Sequence, residues 1–150
     1  MPKLKEQLYL LCTDYLKNKE AEIRKTISEV QEAVSNDTKS SAGDKFETGR
    51  ESMQQEIDLN LTRLNELNTQ KLALEKIIPG QKGALVQPGS VVRTNNGNYY
   101  VAISAKQLKV DGIAYYAISI SSPIGEKLSG KKAGDSFELN GKQFIVESVA

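Results

Sequence analysis

The chain has 150 residues, of which 39% are hydrophobic and 26% charged, and a formal net charge of +1. That length holds one ordinary domain or an elongated element beside a small compact one, and the near-neutral balance argues against a strongly basic nucleic-acid binder. Histidine is absent and Cys12 is the single cysteine, which excludes Ser-His-Asp and Cys-His nucleophilic sites, histidine-ligated zinc, thiolate clusters and an intrachain disulfide, while carboxylate chemistry with a hard cation stays open.

The first predicted element is a helix from Lys3 to about Val34. Leu4, Leu8, Leu11 and Tyr15 step by fours and threes, and Leu16, Ile23, Ile27, Val30 and Val34 continue a narrow apolar stripe. Such spacing describes a coiled-coil seam rather than a broad globular face. Cys12 falls among leucines and is expected to be a buried thiol. The apolar run at the N-terminus is too short for a signal peptide, and no stretch approaches the ~20 residues of a membrane span. A cytoplasmic protein with no membrane contact is the expectation.

A second helix is predicted from about Asp44 to Ile78. Met53, Ile57, Leu61, Leu64, Leu67, Leu74 and Ile78 supply its stripe, with Asn60 and Lys71 as polar members at seam spacing. Each arm would extend ~45–50 Å at 1.5 Å per residue. Because most helical stability comes from burying the stripe, an antiparallel hairpin over residues 1–78 is the economical solution. Its tip falls near 36–47. The residues Asn36 to Gly43 form the expected bend, and Asp44 and Glu47 share one face where the second arm begins. On spacing alone the pair reads either as a helix cap with its capping-box partner or as two displayed carboxylates. From Glu29 to Glu51 there are six acids against three bases, so the tip suits a divalent cation or a basic lining better than a phosphate. Two carboxylates alone hold magnesium weakly, which points to a metal shared with a partner.

Pro79-Gly80 ends the helical pattern, and residues 79–84 read as a linker. From 85 to 150 the period changes to that of a small antiparallel sheet domain, with turns at Asn95-Asn96-Gly97, Asp111-Gly112 and Asn140-Gly141. Tyr99, Tyr116, Ile118, Phe137, Phe144 and Val146 are its expected core, and half of the tyrosines at 99, 100, 115 and 116 should be buried. Ser122-Pro123 should open one short helical turn ending at Gly130. The run Gly130-Lys131-Lys132-Ala133-Gly134-Asp135 lacks the GxxxxGK[ST] pattern of a phosphate loop and reads as a turn. The chain is therefore α+β in class: an N-terminal antiparallel helical coiled-coil hairpin, then a small antiparallel β-sheet domain.

Ser122-Pro123-Ile124-Gly125, then Leu128-Ser129-Gly130-Lys131, then Gly134-Asp135, resembles the SPxx…L.GK..GD signature of the Gre-type transcript cleavage factors of bacterial RNA polymerase. Gly43-Asp44-Lys45-Phe46-Glu47-Thr48 is similar to that family's Gly-Asp-x-x-Glu-Asn tip. The likeness covers most of the chain. It implies an FKBP-like C-terminal domain that docks on bacterial RNA polymerase, with Ser122, Pro123, Ile124 and Gly125 in either a structural or a docking role, and entry of the coiled coil into the secondary channel. It also implies that Asp44 and Glu47 act as catalytic helpers and shared metal ligands for the polymerase's Mg2+, stimulating cleavage of backtracked RNA, with no intrinsic cofactor, no independent enzyme activity and no DNA binding. Where the family continues Asn-Ala-Glu-Tyr, this chain has Thr48-Gly49-Arg50-Glu51. That departure keeps a non-cleaving polymerase regulator as an alternative, beside a coiled-coil scaffold that binds no polymerase.

Overall fold

Two long helices precede a six-stranded sheet. The computed structural model describes residues 2–38, 43–79 and 81–150, with side chains described for 4–33, 49–79 and 81–150. Helix α1 spans Pro2–Thr38 and α2 spans Gly43–Glu75. The expected bend is therefore shorter than its polar composition suggests, because Asn36 to Thr38 are still helical. Continuation of the helical backbone hydrogen bonding outweighs the modest local preference of Asn and Asp for turns.

In α2 the inward positions are Met53, Ile57, Asn60, Leu64 and Leu67, alternating four and three. This is the predicted seam with two corrections. Leu61 is 47% exposed and Ile78 is 66% exposed, while Ile77 is buried. One residue turns a helix by about 100°, so with Asn60 inward Leu61 must face away. Ile78 precedes Pro79, whose ring disfavours helical backbone at the residue before it. The chain leaves α2 through a tighter Ile77 N–H to Leu74 C=O bond of 3.0 Å, a common way to close a last turn.

The chain divides into two compact units, residues 16–69 and residues 1–15 with 70–150. In the first, the two helices pack along their seam, and Asn60 is buried without being orphaned. Its Nδ2 donates to the Glu56 carbonyl at 2.9 Å, and Arg63 Nη1 donates to its Oδ1 at 3.4 Å.

The second unit is built on strands β1 (Val91–Thr94), β2 (Gly97–Val101), β3 (Gln107–Val110), β4 (Ile113–Ile118), β5 (Ser136–Leu139) and β6 (Lys142–Val149), with α3 (Pro123–Leu128) between β4 and β5. Their order is β3-β4-β2-β1-β6-β5. The sheet is mixed rather than antiparallel throughout, because β2 and β4 run parallel with Tyr99 opposite Tyr116. After β2 the chain crosses past the β4 position, lays down β3 at the edge, and returns by a hairpin into the gap. Hydrophobic alternation specifies which face a side chain takes but not the direction of its neighbour, so this pairing is invisible to pattern reading.

The predicted turns are present. Asp111 and Gly112 have φ of 53° and 78°, as do Asn140 and Gly141, the two left-handed residues of a type I′ hairpin. Two faces of the sheet are buried. On one, Val92, Tyr99, Val101, Phe144 and Val146 form a core with Leu128, Val86 and Phe137, in which the Phe137 and Phe144 rings stack at 4.9 Å. On the other lie Val91, Tyr100 and Tyr115, and Tyr100 has Cys12 and Tyr9 of α1 as its electrostatic neighbours. Three of the four paired tyrosines are consequently buried, and Tyr116, expected in the core, is 45% exposed. Its position near the sheet edge leaves its ring tilted against Tyr99 at 5.9 Å with the other side open.

Candidate functional site

The N-terminal pair comes first in the chain. Asp44 and Glu47 fall in the first turn of α2, and their side chains lie outside the described residues, as does the notion of their acting as a cap or as displayed ligands. Among the described residues, no group of three or more metal-ligating side chains converges. A pair of carboxylates at i and i+3 fits a magnesium ion that takes its remaining ligands elsewhere, and does not fit a cage owned by this chain.

The C-terminal signature residues come together as a single local structure. Ser122 caps α3: its Oγ accepts from the Gly125 N–H at 3.1 Å and donates to the Ser119 carbonyl at 2.6 Å. Pro123 sits at the first helical position, where a missing N–H costs nothing and its fixed φ is already helical. Ile124 packs against the core of the sheet. Gly125 is held by steric necessity, since a Cβ there would stand 2.0 Å from the Ser119 carbonyl oxygen. The continuation is wired as tightly. Gly130 takes a φ of 74°, its N–H reaches the Val86 carbonyl at 2.9 Å, and Val86 N–H returns to Lys131 at 2.8 Å. Asp135 caps its own turn by accepting from the Lys132 N–H at 3.0 Å, and Gly134 N–H bonds Val146 at 2.8 Å. Every signature residue thus has a folding role, which leaves the exposed rim of α3, and not its buried glycine, as the part able to meet a partner.

Four titratable groups in the second unit, Cys12, Tyr99, Tyr100 and Lys5, are shifted by burial, and of these sequence reading placed Cys12 and Tyr99 inside. The Cys12 thiol is fully buried and pushed up to about 12, so it is an inert packing thiol. Burial raises Tyr100 further, and its hydroxyl has no hydrogen-bond partner among the described residues. Burial also lowers Lys5, whose Nζ donates to the Gln81 carbonyl and so ties α1 to the linker segment. The charged members of a helix face look alike in sequence, and nothing in its neighbours marks Lys5 as the buried one.

A mixed-charge cleft of about 400 Å³ also lies in this unit, between the start of α1 and the sheet face that carries Tyr115. Its polar residues come from α1, β1, the β3–β4 hairpin and β6, and of them sequence reading marked only Asp111, as a turn residue, and Tyr115, as one of the paired tyrosines.

No family model matches the chain, and no curated protein matches it. What the fold defines is therefore a class by architecture: an α+β protein with two packed N-terminal helices followed by an open, six-stranded mixed sheet. No helix among the described residues is long and apolar enough to cross a membrane.

Proposed function

We propose that the protein is a Gre-like secondary-channel factor of bacterial RNA polymerase, with an FKBP-like C-terminal domain and an antiparallel coiled-coil hairpin. The observation that carries this reading is the joint occurrence of the Ser122–Asp135 signature between β4 and β5 and the Gly-Asp-x-x-Glu start of a second long helix. At about 1.5 Å per residue, helices of 37 and 33 residues are roughly 50 Å long, the scale needed to reach a buried centre from an enzyme surface.

On this reading the hydrolytic centre belongs to the polymerase. A magnesium ion bound there supplies Lewis-acid stabilisation of the attacking and leaving oxygens of the RNA phosphodiester. Asp44 and Glu47 of this chain add acceptor oxygens and negative charge beside it, which position a water by accepting its hydrogen bonds. The exposed surface of α3 around Ser122, Pro123 and Ile124 contributes to docking on the polymerase.

A backtracked elongation complex with magnesium, supplied with the wild type or with Asp44→Asn plus Glu47→Gln, tests this. Wild-type protein should accelerate release of short 3′ RNA fragments, and the double variant should bind with the acceleration lost. Absence of stimulation by the wild type removes the cleavage role. Binding without stimulation favours the second reading, a non-cleaving regulator, for which Thr48-Gly49-Arg50 is the specific motive: it sets a positive charge where the family continues with Ala-Glu. Failure of polymerase to associate at all leaves the coiled-coil scaffold.

A further inference from the structure

The cleft between α1 and the sheet has features of a small-molecule site distinct from the surfaces used above. Its volume of about 400 Å³ lies within the range of roughly 300–1,000 Å³ usual for ligand pockets. Val91, Val110 and the ring of Tyr115, all buried, give it an apolar floor, and Leu4 of α1 forms part of its wall. Two opposite charges line the same space: Arg93 on β1 and Asp111 at the β3–β4 turn. Among the described residues neither forms an ion pair, with each other or with anything else. Arg93 is oriented from below, since its Nη2 donates to the Tyr115 hydroxyl at 3.4 Å, a phenol that is 1% exposed as a residue. Asp111 lines the cleft from the β3–β4 turn, where its backbone is left-handed at φ 53°.

We propose that this cleft binds a small zwitterion with an apolar body, of the class of free amino acids with large apolar side chains. The guanidinium meets the carboxylate in a charge-assisted pair, the Asp111 carboxylate meets the ammonium, and the floor takes the side chain. Two opposite charges that line one cleft without pairing with each other match a ligand carrying both. A phosphate or nucleic acid is disfavoured by Asp111, and a bare cation by Arg93 and by the single carboxylate available. The inference does not rest on the polymerase reading.

The test is titration of the full chain, followed by backbone amide NMR shifts at residues 91–93 and 110–113, with three probes: L-phenylalanine, 3-phenylpropanoate, which lacks the ammonium, and phenethylamine, which lacks the carboxylate. L-Phenylalanine should give saturable shifts in the millimolar range, with either analogue weaker by about tenfold, the scale of one lost charge-assisted bond. Arg93→Gln should reduce phenylalanine to the level of phenethylamine and weaken phenylpropanoate by a similar factor. Asp111→Asn, which keeps a residue suited to a left-handed turn, should reduce phenylalanine to the level of phenylpropanoate. No saturable shift with any probe, equal binding by the three, or responses unchanged in both variants would each overturn the proposal.

Discussion

The helix pair and the sheet unit use burial in opposite ways. In residues 16–69 the buried apolar side chains among those described are only Leu16, Ile57 and Leu67, and the fourth buried seam residue is Asn60. The sheet unit covers both of its faces, so that neighbouring residues such as Val91 and Val92, or Tyr99 and Tyr100, are all buried. A seam one residue wide gives each helix turn a single contact and tolerates a polar member. Where both faces are covered, an unsatisfied group such as the Tyr100 hydroxyl or an added atom at Gly125 carries a cost. The difference teaches where this protein is built to be specific and where it is built to be stable.

The largest expected effect attacks the sheet unit at its tightest point. Gly125→Val should cost about 4 kcal/mol or more, because the new Cβ collides with the Ser119 carbonyl and backbone must move. Chemical denaturation of the variant measures it, and a loss under about 1 kcal/mol would mean that the α3 entry relaxes far more easily than its geometry implies. Next, Leu128→Ala beneath α3 should cost about 3 kcal/mol. Leu67→Ala on the helix seam, which is 7% exposed, should cost about 2 kcal/mol. Equal losses at the two leucines would erase the proposed contrast.

Polar groups should sharpen the comparison in the other direction. Tyr100→Phe removes a buried hydroxyl that has no partner and should raise stability by about 1 kcal/mol. Asn60→Leu should also stabilise the helix pair, by a similar or smaller amount, while loosening register or oligomeric state, since a seam asparagine specifies pairing at a cost in stability. Thermal melting with size-exclusion chromatography separates the two consequences.

The same burial also produces a pH dependence. Burial raises the Cys12 thiol from 9.0 to about 12, so above pH 9.0 the unfolded chain loses a proton that the folded chain keeps. The stabilisation is complete below that pH and fades as pH rises towards about 12. Tyr100, also raised by burial, acts in the same sense. Lys5 acts oppositely, because its lowered value makes the folded chain release a proton first, so its burden is relieved as pH approaches 10.5. Stability measured up the alkaline limb should therefore fall, and the fall should be shallower in Cys12→Ala. An unchanged slope would place that thiol in contact with solvent.

Much of the fold is legible in the residues themselves. The alternating three and four spacing of Ile57, Asn60, Leu64 and Leu67 marks a seam, and Asp111-Gly112 and Asn140-Gly141 mark hairpins, because both signals arise within a few residues of chain. Ser122-Pro123 announces a capped turn for the same reason. The short signature also located α3, although sequence could not say that Gly125 is a steric requirement, since the atom it avoids belongs to Ser119 across the turn. The cleft left no signal as a cleft, although Asp111 was marked as a turn residue, because it is assembled from α1, β1, the β3–β4 hairpin and β6. Asp44 and Glu47 remain where the sequence put them, at the start of the second helix.

By itself, then, the sequence determined the two helical arms, their polar seam residue, the position of each hairpin and the exclusion of histidine- and thiolate-based chemistry. These depend on local periodicity, turn stereochemistry and the presence or absence of functional groups. The tertiary structure alone decided that β2 and β4 run parallel, that Tyr100 is sealed while Tyr116 is open, and that Lys5 is the buried lysine. Those outcomes depend on which surface arrives opposite each residue, and that is set by long-range packing, which no short stretch of chain encodes.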